Sequence, residues 1–364
     1  MGVSFGLGAS VLLPAGLGFR NFIMNGAMQV SQRGTSTASI TADGYNTADR
    51  WKTDATTLGT WTQSVENDAP TGSEFRKSLK MLCTTADASP AAGDRLAIVQ
   101  SFEGQNVQSI KKGTASASQL LLTFWVKSNV TGTYVVELFD VDNTRQVSAS
   151  YTVLVSATWE KKTIVLPADA TGVFDNDANG SLDIRFWLGV GSTYSSGTLN
   201  TSWNSNTSAN RAVGQTNLAA ATSNYWQITG VQLEQNYQPT PFEQRPIGVE
   251  LALCQRYYQV LENSSVYTYF CMGEADNATN FEGILHLPVS MRANISSIIT
   301  SGTAAHYAIY GSAVVNTCTS TPTGSGNKQT VHMSVATTGM TTGRSYTLVS
   351  NNTTSGYLAF SSEL

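Results

Sequence analysis

The chain has 364 residues, 13% of them charged and 41% hydrophobic, with a net charge of −4 and a pI near 5.4. Ser and Thr together number 85 against only 21 Lys and Arg, which excludes an all-α protein, and 34 aromatic residues argue against disorder. No basic stripe and no run of eighteen apolar residues is present, so neither a nucleic-acid partner nor membrane insertion is expected.

Met1 to Gly18 is apolar and Gly-rich. A secretory signal carries positive charge ahead of its apolar run, whereas here the first basic residue, Arg20, follows it. Gly6 stands where a myristoylation signal has Ser or Thr. The segment reads as an arm that packs on a partner subunit.

The middle of the chain predicts strands. Leu120 to Lys127 is apolar on both faces, as in a central buried strand. Thr133 to Phe139, Thr152 to Val155 and Lys162 to Leu166 follow. Ile184, Phe186 and Leu188 alternate with Arg185 and Trp187. In Tyr225 to Glu234, Trp226 and Ile228 fall out of phase with Val231 and Leu233, which predicts a bulge at Gly230. Short strands broken by Gly, Asn and Asp predict an all-β fold with an antiparallel jelly-roll or β-sandwich. Three prolines in 238–246 then mark a boundary, and Val249 to Leu261 predicts the one helix. Further strands are expected at 266–272, 284–289, 305–310, 329–335, 346–349 and 357–360, as a smaller β-domain. The expected units are an arm (1–19), a sandwich (20–245), a helical junction (246–261) and a C-terminal β-domain (262–364). Cys83, Cys254, Cys271 and Cys318 show no ligand spacing and read as small buried hydrophobes.

Catalytic motifs are missing. His286, His306 and His332 fall inside predicted strands, and there is no nucleophile elbow, zinc-protease helix or phosphate loop. Nothing singles out a carboxylate pair for glycoside hydrolysis, so no enzyme is expected. The sharpest local pattern is Asp175, Asp177, Asn179 and Asp183 around Gly180, the oxygen spacing of a calcium loop. Position twelve is Phe186 rather than a bidentate Glu, so a hairpin loop without Ca²⁺ fits the same residues. A second pattern is Tyr194, Trp203, Asn204 and Asn206, aromatic faces and amides of the kind that hold sugar rings. Trp203 serves equally as a plug at the edge of the core.

Several stretches resemble, in order, a family of phage and prophage tail-fibre proteins. They are Asn21-Phe22-Ile23-Met24-Asn25-Gly26-Ala27-Met28-Gln29-Val30, Gln32-Arg33-Gly34-Thr35-Ser36, Asp49-Arg50-Trp51, Gln100-Ser101-Phe102-Glu103-Gly104 and Phe124-Trp125-Val126-Lys127-Ser128. Gly214-Gln215-Thr216-Asn217-Leu218, Ile228-Thr229-Gly230-Val231-Gln232-Leu233-Glu234, Thr240-Pro241-Phe242-Glu243, Glu250-Leu251-Ala252-Leu253-Cys254-Gln255-Arg256-Tyr257-Tyr258 and Ser362-Glu363-Leu364 continue it. The resemblance implies a virion structural protein with a jelly roll like that of carbohydrate-binding modules and a C-terminal β-domain. Such proteins are usually homotrimers and touch host surface polysaccharide. Trp51, Phe124, Trp125 and Trp226 would fill the sandwich. Arg33, Glu103 and Arg256 would be buried partners of one another or of backbone carbonyls. Residues 1–19 precede the family's opening and are the expected attachment to other virion proteins. The rival expectation is a capsid decoration or head fibre that binds no host ligand. A depolymerase tailspike is a third class, but the repeats of a parallel β-helix are not visible.

Overall fold

Thr, Val and the aromatic residues suit a half-buried pleat, and the stretches rich in them form strands. The computed structural model describes residues 19–261, 265–311 and 314–364. The expected arm therefore lies, apart from Phe19, outside the described residues. Eleven strands make one antiparallel path: β1 (Ser36–Tyr45), β2 (Lys52–Glu66), β3 (Ser78–Thr85), β4 (Arg95–Glu103), β5 (Leu120–Ser128), β6 (Gly132–Asp140), β7 (Arg145–Val153), β8 (Glu160–Leu166), β9 (Gly180–Val190), β10 (Asn204–Ser205) and β11 (Tyr225–Glu234). Their order is β10-β7-β6-β9-β4-β2-β3-β11-β5-β8, with β1 on β2.

The path folds over itself at β2. Lys52 to Thr57 pairs with β4, and Thr60 to Glu66 pairs with β3. Between the halves, Thr57 and Gly59 have φ of 53° and 65°. A Cβ on Gly59 would lie 2.5 Å from the Thr85 carbonyl oxygen, so only glycine makes this corner. Trp51, Trp61, Phe124, Phe186 and Trp226 fill the space between the two layers. The result is a jelly-roll β-sandwich.

Of the strands read from the middle of the chain, those at 120–127, 133–139, 162–166, 184–188 and 225–234 are present, whereas the expected strand Thr152–Val155 is only the tail of β7, which runs Arg145–Val153 and ends before the exposed Leu154 and Val155. Gly230, at φ 62°, sits inside the register shift between Thr229 and Gln232, and a Cβ there would strike the Phe75 ring. One residue differs from expectation. Trp125 is half-buried on the outward side of β5, opposite Thr229 and Lys161, and does not fill the core.

The helix also differs. Helix α1 (Gly104–Val107) and helix α2 (Ser192–Ser195) are single turns, and the junction helix α3 runs Ile247–Gln255. It stops short of Leu261 because Tyr258–Leu261 forms strand β12, which pairs with the last strand of the chain. The C-terminal unit adds β13 (Tyr269–Asn277), β14 (Asn280–His286), β15 (Ile299–Thr300), β16 (Tyr307–Gly311), β17 (Val314–Thr317), β18 (Thr323–Gly326), β19 (Thr330–Ala336), β20 (Ser345–Ser350) and β21 (Leu358–Ser361). These form a seven-stranded sheet, β17-β16-β20-β13-β14-β19-β18, and a small sheet, β12-β21-β15. Phe281, Tyr307, Leu348 and Phe360 centre its core. All four cysteines are free and buried. Among the described residues no helix is long and apolar enough to cross a membrane.

The chain end ties the two units together. Glu363 pairs with the buried Arg50 and, at 3.1 Å, with Arg33. Arg292 donates to the carbonyls of Ser362, Glu363 and Ala178. Arg256 grips Glu103 through two bonds of 2.6 and 2.7 Å, as the resemblance implied. Arg33 is not part of that pair: its guanidinium lies 3.6 Å over the Tyr258 ring and faces Glu363 and Asp49.

Candidate functional site

The candidate site lies at one end of the sandwich, where α1 and the loops 111–118 and 167–179 meet. Its frame is Lys112, whose side chain is 2% exposed. The ammonium pairs with Asp140, lies 3.1 Å from Asp169, and donates to the carbonyls of Thr171 and Gly172 at 2.9 Å each. The rings of Phe174 and Trp203 stand 5.2 and 5.0 Å from it. Arg145 holds Asp169 through bonds of 2.8 and 3.0 Å. Burial works to raise the Asp169 carboxyl, but Arg145 and Lys112 outweigh it and hold it below the usual range. A tethered ammonium thus occupies an oxygen cage with every charge matched.

Beside this frame is a depression of about 450 Å³. The exposed Val173 supplies most of its apolar surface, with Phe174 at 5% exposure and Val107 buried beneath it. Gln108, Lys111, Thr114 and Ser116 supply its polar surface. The Gln108 amide nitrogen donates to the Gly104 and Asp175 carbonyls at 2.9 and 3.1 Å, which leaves its oxygen free to accept. Lys111 is exposed at φ 54°, and its ammonium has no partner among the described residues. An apolar floor with a few convergent polar groups is the usual make-up of a small-ligand site.

The structure separates the residues proposed for sugar contact. Trp203 donates from Nε1 to the Pro167 carbonyl at 2.8 Å and plugs the end of the core. Asn204 and Asn206 follow it along β7, where Asn204 pairs opposite Gln146 and the Asn206 amide donates to the Thr144 carbonyl. Tyr194 is elsewhere, on α2 over the outer face of β9, with its ring 5.5 Å from Trp187 and its hydroxyl 3.3 Å from Arg95. The four therefore do not converge on one surface.

The proposed calcium ligands also fail to converge. Asp177 is occupied by the Asn179 amide and side chain, at 2.8 and 2.6 Å. Asp183 points to the far side of β9, held by Arg185 at 2.8 Å and Ser101 at 2.5 Å. Asp175 takes part through its backbone, its N–H donating to Asp142 and its carbonyl accepting from Gln108. Among the described residues no group of three or more His, Cys, Asp or Glu side chains is placed to hold a metal ion. The loop works through its carbonyls, which accept from Gly104, Gln105 and Arg292.

Burial pushes two carboxyls up, Asp49 to about 6 and Glu137 above the usual glutamate range. Gln32 and Arg33 cover Asp49, while Arg211 and Trp187 cover Glu137. Both are fully buried, so neither offers a proton to an outside substrate. Sequence reasoning missed Lys111, Lys112 and Gln108. The one visible signal was two adjacent lysines before Gly113 in a lysine-poor chain.

No family model matches the chain, and no curated protein matches it in sequence. Solved structures do match in fold. One is the enzymatically active domain of tailspike protein 4 of bacteriophage CBA120, at 16% identity and a TM-score of 0.32 over 60% of this chain and 22% of that one. A structure described as "CBM4 structure and function" matches at 13% identity and 0.29 over 58% of this chain and 98% of that one. A family 11 carbohydrate-binding module from Clostridium thermocellum, in complex with a β-1,3-1,4-mixed-linked tetrasaccharide, matches at 10% identity and 0.29 over 56% of this chain and 98% of that one.

Proposed function

We propose that this chain is a non-enzymatic appendage of a phage particle that contacts a host surface saccharide through the depression beside Lys112. The observation that carries the reading is the juxtaposition of the exposed Val173 and the edge of Phe174 with the Ser116 hydroxyl and with the Lys111 ammonium and Gln108 oxygen, which have no partner among the described residues. Sugar rings present apolar C–H faces and hydroxyl edges, and this surface offers a partner to each. The Lys112 cage holds Phe174 and the loop before it in place, so little ordering is needed on binding. Lys111 favours a saccharide bearing a carboxylate. The two carboxyls that burial raises, Asp49 and Glu137, are sealed from solvent, and the reading assigns no catalytic step.

The appendage role, the attachment through residues 1–19 and the homotrimer rest on the ordered sequence resemblance. Three copies would raise weak single-site affinity through effective concentration. The test is calorimetric titration of the protein with neutral and uronic-acid oligosaccharides, beside sedimentation for the trimer. Lys111→Glu is expected to weaken binding of the acidic set at least about tenfold, equivalent to 1.4 kcal/mol, with unfolding unchanged. Binding that survives both Lys111→Glu and the blocking change Ser116→Trp would overturn the site.

A further inference from the structure

The seven-stranded sheet of the C-terminal unit turns one face to its core and the other outward. Cys271, Leu285, Met333, Leu348 and Ile309 point into the core. The residues between them point out. Register places one from each strand in a single row: Val315, Tyr310, Thr347, Met272, Ile284, His332 and Ser325. A sheet face turned to water usually carries polar side chains. Here Met272 is 71% exposed and Ile284 57%, with Val315 and Tyr310 exposed in the same row. Tyr269, also exposed, sets its ring 6.5 Å from that of Tyr310. An apolar band across an open face marks an interaction surface.

The rows on its two sides differ. Toward one end of the strands stand Ser345, Glu274, Glu282 and Ser334. Toward the other stand Val349, Tyr269, His286 and Thr330. Glu274 and Glu282 are direct partners in register, a like-charge pair that destabilises a sheet and favours a counter-group above it. Beside them is a depression of about 380 Å³, lined by Met272, Glu274, Glu282, Ile284, His332 and Ser345.

A second copy of the same face supplies what each row lacks. A two-fold axis laid along the central row, across the strands, turns one copy over onto the other. Each strand then faces its own counterpart, so Met272 meets Met272 and Ile284 meets Ile284. The flanking rows are exchanged. His286 of each copy comes over Glu282 of the other, and Tyr269 comes over the depression beside Glu274. Packed sheets adopt this near-aligned arrangement. Seven strands with some six residues of each make a face of about 600 Å². Two such faces bury about 1,200 Å², the lower bound for a stable, specific protein pair.

We propose that this face is a two-fold interface between copies of the chain. Such a contact is isologous, so it joins chains in even numbers. A trimer of the kind proposed above pairs into a hexamer, and a chain without that trimer forms a dimer. The interface does not depend on the saccharide site.

Sedimentation of the full chain reads the copy number, and two or six is expected. Two copies overturn the homotrimer but not this interface. Three copies overturn the interface but not the homotrimer, and a monomer overturns both. Met272→Glu with Ile284→Glu changes exposed side chains, so the circular dichroism spectrum should stay as it is while the copy number halves. Glu282→Lys and His286→Glu should each weaken association at least about tenfold, because each spoils the match across the axis. The two changes together in one chain should restore it, since each group then meets an opposite charge. Association that survives Met272→Glu with Ile284→Glu, or that the paired charge change fails to restore, overturns the proposal.

Discussion

The sandwich buries charged side chains among its aromatic rings, whereas the described core of the C-terminal unit is aromatic rings, sulfur and aliphatic side chains without charge. Inside the sandwich, Lys112 meets Asp140 and Asp169, Arg211 meets Glu137 at 2.8 Å, and Arg185 bridges Asp54 and Asp183 at 2.5 and 2.8 Å. Inside the C-terminal unit, Phe281, Tyr307, Met291 and Met340 pack together, and the Cys271 and Met333 sulfurs lie 3.8 Å apart. The pair His332–Glu282, at 3.4 Å, is exposed there. A buried ion pair adds little net stability over apolar packing but admits only one geometry. The sandwich is therefore the part whose surface loops are held to a fixed shape, and the candidate site sits on such a loop.

The sharpest contrast between the two regions is the pH dependence of a core substitution. Lys112→Met leaves Asp140 and Asp169 short of a cation and should cost about 3–5 kcal/mol at neutral pH. Lys112 helps to hold the Asp169 carboxyl below its usual range, so this contribution is present above the unfolded value of about 4 and is lost as pH falls through the folded value, and the cost should shrink in acid. Phe281→Ala, fully buried in the C-terminal unit, should cost a similar 3–5 kcal/mol or so but show no such recovery in acid. Urea unfolding at pH 7 and pH 3.5 reads both. Parallel pH behaviour would break the comparison.

Glu363 belongs to the C-terminal tail but serves the sandwich. Its partner Arg50 is 1% exposed, donates to the Ser101 carbonyl at 2.7 Å and stacks 3.4 Å from the Tyr257 ring. Glu363→Gln should cost the sandwich about 2–4 kcal/mol, somewhat less than a full loss because Arg50 keeps its other contacts. Separate probes show where the loss falls. Near-UV signals from the tryptophans, all of which lie in the sandwich sequence, should shift to lower urea. A shift confined to the C-terminal unit would mean that the tail does not brace the sandwich.

Periodicity made half of this legible. Ile184, Phe186 and Leu188 do face the main core while Arg185 and Trp187 face the other way, and the phase slip at Gly230 is a real bulge. Where periodicity is weak, the sequence reading failed. Strand β2 is Thr-rich and changes layers midway, so neither half repeats long enough to stand out. The helix was overrun because Tyr258 and Leu261 continue its apolar spacing, while β21, a hundred residues on, claims them as a strand. The site was missed for the same reason. Lys112 is read against Asp140, Thr171 and Gly172, which lie 28, 59 and 60 positions away. Residue type gave the donors, but only the folded sheet order brings them together.

The smallest expected effect concerns the seam between the regions. Burial works to raise the Glu103 carboxyl, but bonds from Arg256, Tyr257 and Gln105 outweigh it and hold it below the usual glutamate range. A carboxyl lowered in the folded state stabilises above its unfolded value of about 4.5, and that contribution is lost as pH falls through the folded value. Arg256→Met removes the two bonds of 2.6 and 2.7 Å but leaves the Tyr257 hydroxyl at 2.5 Å. It should cost about 1.5–3 kcal/mol at pH 7, the usual worth of hydrogen bonds to a charged group. The variant and the parent should then converge in stability as pH drops toward 3, because Glu103 is neutralised in both. A constant gap across that range would mean that Arg256 holds the seam by packing alone, through its stem against Tyr257, and that charge is confined to the interior of the sandwich.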